Sequence, residues 1–123
     1  MGLYREEETF KIIGICMEVH RNLGPGLLEV VYKDALEIEF KANNLPFERE
    51  KEFSIEYKVV ILPHKFYADF IVNEDIVLEV KAVKEFSGEH TAQVLNYMKL
   101  SESEIGLLVN FQNKSLQHKR LVF

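Results

Sequence analysis

Asp69, Glu79 and Lys81 are the residues of this sequence whose types and spacing could carry hydrolytic chemistry. They lie in the stretch 66–82, Phe-Tyr-Ala-Asp-Phe-Ile-Val-Asn-Glu-Asp-Ile-Val-Leu-Glu-Val-Lys-Ala, where Asn73-Glu74-Asp75 predicts a turn between two short strands. Strand side chains alternate faces, which assigns Phe66, Ala68, Phe70, Val72, Ile76, Leu78, Val80 and Ala82 to one wholly apolar face. Tyr67, Asp69, Ile71, Val77, Glu79 and Lys81 fall on the other. If Val72 pairs with Ile76, Asp69 stands opposite Glu79, with Cβ atoms about 4.5–5.5 Å apart. Two carboxylates that close can share one hard cation, Mg2+ or Mn2+, with the Val80 carbonyl as a further oxygen ligand. Without a cation they repel, so something positive is required there: a divalent metal or the ammonium of Lys81.

The chemistry that suits such a set is phosphodiester hydrolysis. A cation neutralises charge developing on the phosphate and lowers the pKa of the attacking water. Lys81, one strand period beyond Glu79, reaches the same water or phosphate. Taken alone, Asp…Glu-x-Lys also describes a salt-bridge cluster on a solvent-facing sheet, because Glu and Lys are common. Further groups can join the set. Glu29, with Tyr32 three residues on, adds a third carboxylate from a helix, or else is a solvated helical position. Gln93 and Tyr97 share one face of a later helix, either at the site or as a half-buried polar stripe.

These residues need a scaffold, and the rest of the chain supplies one. A first helix is expected from about 5 to 22, with Phe10, Ile12, Ile13, Cys16, Met17 and Val19 as its apolar stripe and Glu6–Glu8 at its positive end. Leu23-Gly24-Pro25-Gly26 stops it. A second helix is expected from about 27 to 43, packing through Leu28, Val31, Ala35 and Ile38, with Glu29, Tyr32 and Leu36 on a neighbouring face. Residues 47–57 read as one or two strands with Phe53, Ile55 and Tyr57 on one side, whereas 58–65 mixes strand formers with Pro63. After the hairpin, a third helix from Ser87-Gly88 to about Ser101 would pack through Ala92, Leu95 and Leu100, ahead of a buried strand at 104–111 and an edge strand at 115–123. The order is αα-βββ-α-β-β. A strand–helix–strand unit at 76–111 implies a parallel pair inside an otherwise antiparallel sheet, hence a mixed α/β fold with helices on its apolar faces.

Composition narrows the class. With 123 residues, 47% of them hydrophobic, the chain reads as one domain over 1–123 with a core of its own. A net charge of −5 argues against binding nucleic acid by bulk electrostatics. The single Cys16 excludes an intrachain disulfide, fits a reducing compartment, and is expected as a small buried apolar residue. No apolar run approaches the roughly 20 residues of a membrane span. Met1–Glu8 is too acidic for a signal peptide, so a cytoplasmic protein without a membrane partner is expected. The histidines, His20, His64, His90 and His118, have no zinc-site spacing. His90 either contacts phosphate or caps the third helix, and Lys114, His118, Lys119 and Arg120 form a small basic patch that touches a backbone or protects an edge strand. There is no Gly-rich phosphate loop and no nucleophile triad.

Gly26-Leu-Leu-Glu29-Val-Val-Tyr32 reads GxxExxY. Together with Asp69, Glu79-Val-Lys81, His90-Thr-Ala-Gln93, Asn96-Tyr97 and Gly106-Leu-Leu-Val-Asn-Phe111, in that order, the chain resembles the GxxExxY protein family, placed within the PD-(D/E)XK nuclease superfamily. The likeness runs from about Ile12 to Val122. It implies a restriction-endonuclease-like core, metal binding by Asp69 and Glu79, a nucleophile-assisting role for Lys81, the helical acidic position at Glu29, and the Gln-x-x-x-Tyr pair of bacterial recombination exonucleases at Gln93 and Tyr97. Ala68 stands where the signature names proline, and Val59 where the family often turns on glycine. The resemblance implies a metal-dependent nuclease on nucleic acid, DNA ahead of RNA, with Tyr32, His90, Tyr97, Lys119 and Arg120 as candidate substrate contacts. Two rivals stand beside it: a catalytically silent module of the same fold that binds nucleic acid or a protein, and a structural or oligomerisation domain whose charges only stabilise it. The one-sided sheet edges of a small domain leave a homodimer open, with no surface for it assigned by the sequence.

Overall fold

The structure, a computed structural model, describes residues 5–123, so Met1–Tyr4 of the acidic N-terminal stretch lie outside the described residues. The elements are α1 (Glu6–Leu23), α2 (Glu29–Ala42), β1 (Phe47–Tyr57), β2 (Val60–Val72), β3 (Ile76–Lys81), α3 (Gly88–Ser101), β4 (Ile105–Asn110) and β5 (Gln117–Val122). This is the expected αα-βββ-α-β-β order. The strands form one five-stranded sheet in the order β1-β2-β3-β4-β5. Only β3 and β4 run parallel, joined through α3, and the other neighbours are antiparallel. Among the described residues no helix is long and apolar enough to cross a membrane.

Both sheet faces are covered. Ile12, Ile13, Cys16 and Val19 of α1 and Tyr32, Leu36 and Phe40 of α2 pack on Phe70, Val72, Ile76, Leu78 and Val80. Val94, Tyr97 and Met98 of α3 pack on Ala68, Ile71, Val77 and Leu108 across the sheet. Apolar side chains on both faces of β3 and β4 reflect that double burial, the usual state of a parallel pair. Cys16 is fully buried as expected, and burial pushes its thiol up to about 12.

Several orientations differ from the expectation. Phe10 of α1, and Leu28 and Ile38 beside or within α2, are exposed, while α2 buries the four-residue series Tyr32, Leu36 and Phe40. In α3, Ala92 is exposed and Val94, Tyr97 and Met98 carry the packing, with Leu95 and Leu100 only partly buried. Periodicity defines a stripe's width, but the packing partner selects which edge of that stripe is covered. Residues 58–65 resolve into a two-residue turn, Lys58-Val59, and the start of β2. Lys58 takes φ 52, the left-handed backbone that a glycine would adopt without strain. Pro63 falls where the β1–β2 register shifts between Ser54 and Glu56, so its missing N–H costs no ladder bond.

The apolar face of the hairpin is also not a single face. Phe66 and Ala68 belong to the α3 side, whereas Phe70, Val72, Ile76, Leu78, Val80 and Ala82 belong to the α1–α2 side. Strict alternation cannot place Ala68 and Phe70 on opposite faces. The break coincides with Glu50 of β1, in left-handed backbone at φ 53, between the pairs Arg49↔Phe70 and Lys51↔Ala68. The switch therefore falls on Asp69.

One glycine is required by packing. A Cβ at Gly106 of β4 would stand 2.6 Å from both Met98 Sδ and Val94 Cγ1. The methionine can turn away, but Val94 is held at χ1 in a helix. Gly106→Ala should lower the unfolding free energy by roughly 1–3 kcal/mol in urea denaturation, the usual cost of overpacking. An unchanged midpoint would mean that α3 does not press on β4 as described.

Candidate functional site

The β2–β3 ladder consists of Val72↔Ile76, Ile71↔Val77 and Phe70↔Leu78, the register expected from the turn. One residue further, where Asp69 and Glu79 would face each other, the strands part. β2 stays with β1 (Ala68↔Lys51), and β3 stays with β4 (Glu79↔Leu108, Val80↔Val109, Lys81↔Asn110). A fork of this kind strands backbone donors, which are expensive to leave unpaired. The two carboxylates satisfy them. The Asp69 N–H donates to Glu79 Oε2 at 2.6 Å, and the Val80 N–H donates to Asp69 Oδ2 at 2.8 Å. A buried backbone donor at a parted strand end must find an acceptor, so each acid braces the other's strand.

Glu79 is 2% exposed. Burial, and then the negative charge of Asp69, push its carboxyl well above the usual range, although the Asp69 N–H and the charges of Lys81 and Lys33 draw it back. Tyr97 of α3 lies over the same pair. Burial raises its hydroxyl, the charges of Glu79 and Asp69 raise it further, and Gln93 and the Tyr67 backbone favour the ionised form. Asp69, Glu79, Lys81, Gln93 and Tyr97 thus converge on the fork. Val80 joins through its backbone, its side chain being buried in the α1–α2 core.

Glu29, the first residue of α2, comes to the far end of β3, where its Oε2 accepts the Ala82 N–H at 3.3 Å. It neighbours the pair without completing a cluster: among the described residues no group of three or more His, Cys, Asp or Glu side chains could hold a metal ion. The metal fit therefore rests on two carboxylates. It is a chemical fit, since Mg2+ is commonly held by one or two carboxylates together with waters and phosphate oxygens. Burial first and the Asp69 charge second hold the Glu79 carboxyl up, while Lys81 and Lys33 supply positive charge nearby.

The remaining candidates lie elsewhere or serve the scaffold. Tyr32 is fully buried, stacked on Phe111 at 4.4 Å, and its hydroxyl donates to Gly24 O at 2.6 Å and accepts from Leu27 N at 3.2 Å. It staples the α1–α2 connection and cannot touch a substrate from there. His90 caps α3, its Nδ1 accepting the Ser87 N–H at 3.0 Å. The basic patch is divided, because adjacent strand residues point to opposite faces. Lys119 donates to Thr91 Oγ1 on the α3 side at 3.3 Å, while His118 and Arg120 line an apolar pocket of about 330 Å³ against α1, with Phe10, Ile13 and Met17.

Two further residues stand beside the fork: Lys33, which lies outside every motif quoted above, and Asn110, which lies within Gly106–Phe111 with no role assigned to it. Lys33 Nζ lies 3.0 Å from Asp69 Oδ1 and 2.6 Å from Glu50 Oε1. Burial draws its ammonium down, but Glu50 and Asp69 more than offset this and hold it above the ordinary value. Lys33 follows Glu29 by four residues on α2, so helical spacing was the signal available. Asn110 is fully buried; its Oδ1 accepts the Val83 N–H at 3.0 Å and its Nδ2 donates to Val83 O at 2.7 Å, fixing the chain just past Lys81. An amide closing an all-buried strand must find such partners.

A family model described as the PD-(D/E)XK nuclease superfamily matches residues 6–121. The crystal structure of SSO0001 is similar, with a TM-score of 0.59 and 26% sequence identity over 75% of this chain and 48% of that one. The present chain thus spans about half the length of SSO0001. No curated protein matches it. The mixed five-stranded sheet flanked by helices is consistent with the restriction-endonuclease-like α/β fold.

Proposed function

The chain belongs to the PD-(D/E)XK nuclease superfamily, and from that premise we propose that it is a divalent-metal-dependent nuclease of the GxxExxY type, hydrolysing phosphodiester bonds of nucleic acid, DNA ahead of RNA. The observation that carries this reading is the fork, where Asp69 and Glu79 bring two carboxylates together in a buried place. Asp69 and Glu79, with the Val80 carbonyl, would hold Mg2+ or Mn2+. Such an ion, when bound, supplies charge neutralisation at the phosphate and an acidified water. Lys81 orients that water or the phosphate by its ammonium, Gln93 and Tyr97 position Glu79 from above, and Glu29 secures the chain after Lys81. Residues 1–123 act here as one nuclease-like domain. The lone buried thiol of Cys16 suits the reducing cytoplasm.

One observation favours a second reading. The Lys33–Asp69 ion pair already neutralises one carboxylate, as a module that binds nucleic acid or a protein without cutting would need. Incubation of DNA and RNA substrates with Mg2+, Mn2+ or chelator separates the two. Cleavage should need the metal and disappear in Asp69→Ala and Lys81→Ala. Metal binding with every substrate left intact would select the second reading, and full activity in both variants would sink the mechanism.

A further inference from the structure

Asp69 has two carboxylate oxygens, and both are engaged. Oδ2 accepts a backbone N–H inside the fork, a partner that cannot leave without moving β3. Oδ1 meets the ammonium of Lys33, a partner on a flexible stem. The Lys33 and Asp69 side chains are each 13% exposed, so their attraction is only partly screened. Lys33 also holds Glu50, whose side chain is 48% exposed and lies on the solvent side of the pair. Lysine is a compact charge on four rotatable carbons, able to swing between two acceptors where arginine's rigid fork would commit to one. A divalent ion on the same oxygen would face that ammonium as a like charge.

Building on the metal-dependent reading above, we propose that Lys33 is a positioning residue acting as an exchangeable resident cation. In the metal-free protein it neutralises Asp69 while also holding Glu50, and when a divalent ion takes Asp69 it keeps Glu50 and turns its freed side to a phosphate of the nucleic acid. The exchange keeps the fork assembled without metal. It also couples the two ligands, since metal binding frees a cation for phosphate and phosphate, by reciprocity, favours metal. Glu50 then serves as the resting place of Lys33.

Calorimetric titration of Mg2+ and Mn2+ into wild type, Lys33→Met, Glu50→Gln and the double variant tests this. Lys33→Met should bind roughly tenfold more tightly, the equivalent of removing one partly buried competing ion pair. Lys33→Gln carries the same expectation should the methionine variant fold poorly. Glu50→Gln should bind more weakly, because Lys33 then closes on Asp69 alone. In the Lys33→Met background the Glu50 effect should vanish, whereas a loss that persists there would place Glu50 in the long-range field and overturn the relay. A purely structural Lys33 would move both single variants in the same direction, which also overturns it. If wild type binds metal and Lys33→Met binds no better, the exchange fails while the metal site stands. Absence of binding in every variant removes the metal reading itself and the exchange with it.

Discussion

In metal-free buffer at pH 8, Glu79→Gln should melt on the order of 10 °C above wild type, and the gap should close as the pH falls towards the ordinary glutamate range. Glu79 is almost wholly buried beside Asp69, and its carboxyl is pushed up to about 8 from an ordinary 4.5. Between those values the folded protein keeps a proton that the unfolded chain has released, so raising the pH through that window removes stability. At about 1.4 kcal/mol per unit, discounted because Asp69 shares the titration, the loss is about 2–4 kcal/mol by pH 8. Glutamine retains an oxygen for the Asp69 N–H and carries no charge to bury. Melting curves from pH 4.5 to 8.5 decide the matter. A wild-type curve flat across that range, with Glu79→Gln superimposed on it, would show that the pair is hydrated rather than buried. Added Mg2+ should recover most of the wild-type loss at pH 8, because it binds the ionised pair.

The second large effect separates holding the metal from using it. Asp69→Asn should weaken Mg2+ binding by about a hundredfold or more, since it halves the ligand charge and removes the partner of Lys33. Lys81→Met should leave metal affinity within a few-fold of wild type, or slightly tighter, while lowering the cleavage rate by roughly 10²–10⁴, the usual worth of a positioned proton-transfer or charge-stabilising group. The parallel pair Lys81↔Asn110 and the Asn110 clamp on Val83 should keep β3 in place in both variants. Calorimetry for binding and single-turnover cleavage for rate provide the two readings. Equal losses of affinity in Asp69→Asn and Lys81→Met would remove the division of labour between them.

The elements and their order were legible because each rests on a local signal. Gly24-Pro25-Gly26 ends α1, Asn73-Glu74-Asp75 turns the hairpin with Asn73 and Glu74 in left-handed backbone, and the apolar run of β4 reads as a strand buried on both faces. The turn also sets the register, so Val72↔Ile76 and the approach of Asp69 to Glu79 followed from it. Helix facing was less legible. Tyr32, Leu36 and Phe40 compete with Leu28, Val31, Ala35 and Ile38 for the core, and only the sheet beneath decides between them.

By itself, then, the sequence determined the chemistry on offer at the hairpin: an aspartate and a glutamate brought near each other, with a lysine one strand period on. The tertiary structure decided what surrounds them. Parting of β2 from β3 at that point turned the acids into mutual backbone braces, which no alternation pattern encodes, because it follows from β1 and β4 pulling the strands towards different neighbours. It also delivered Lys33 to Asp69 across 36 positions of sequence. Charges that far apart along the chain meet only when helix packing brings them together, and at about 3 Å in a half-buried place their interaction outweighs anything their sequence neighbours supply.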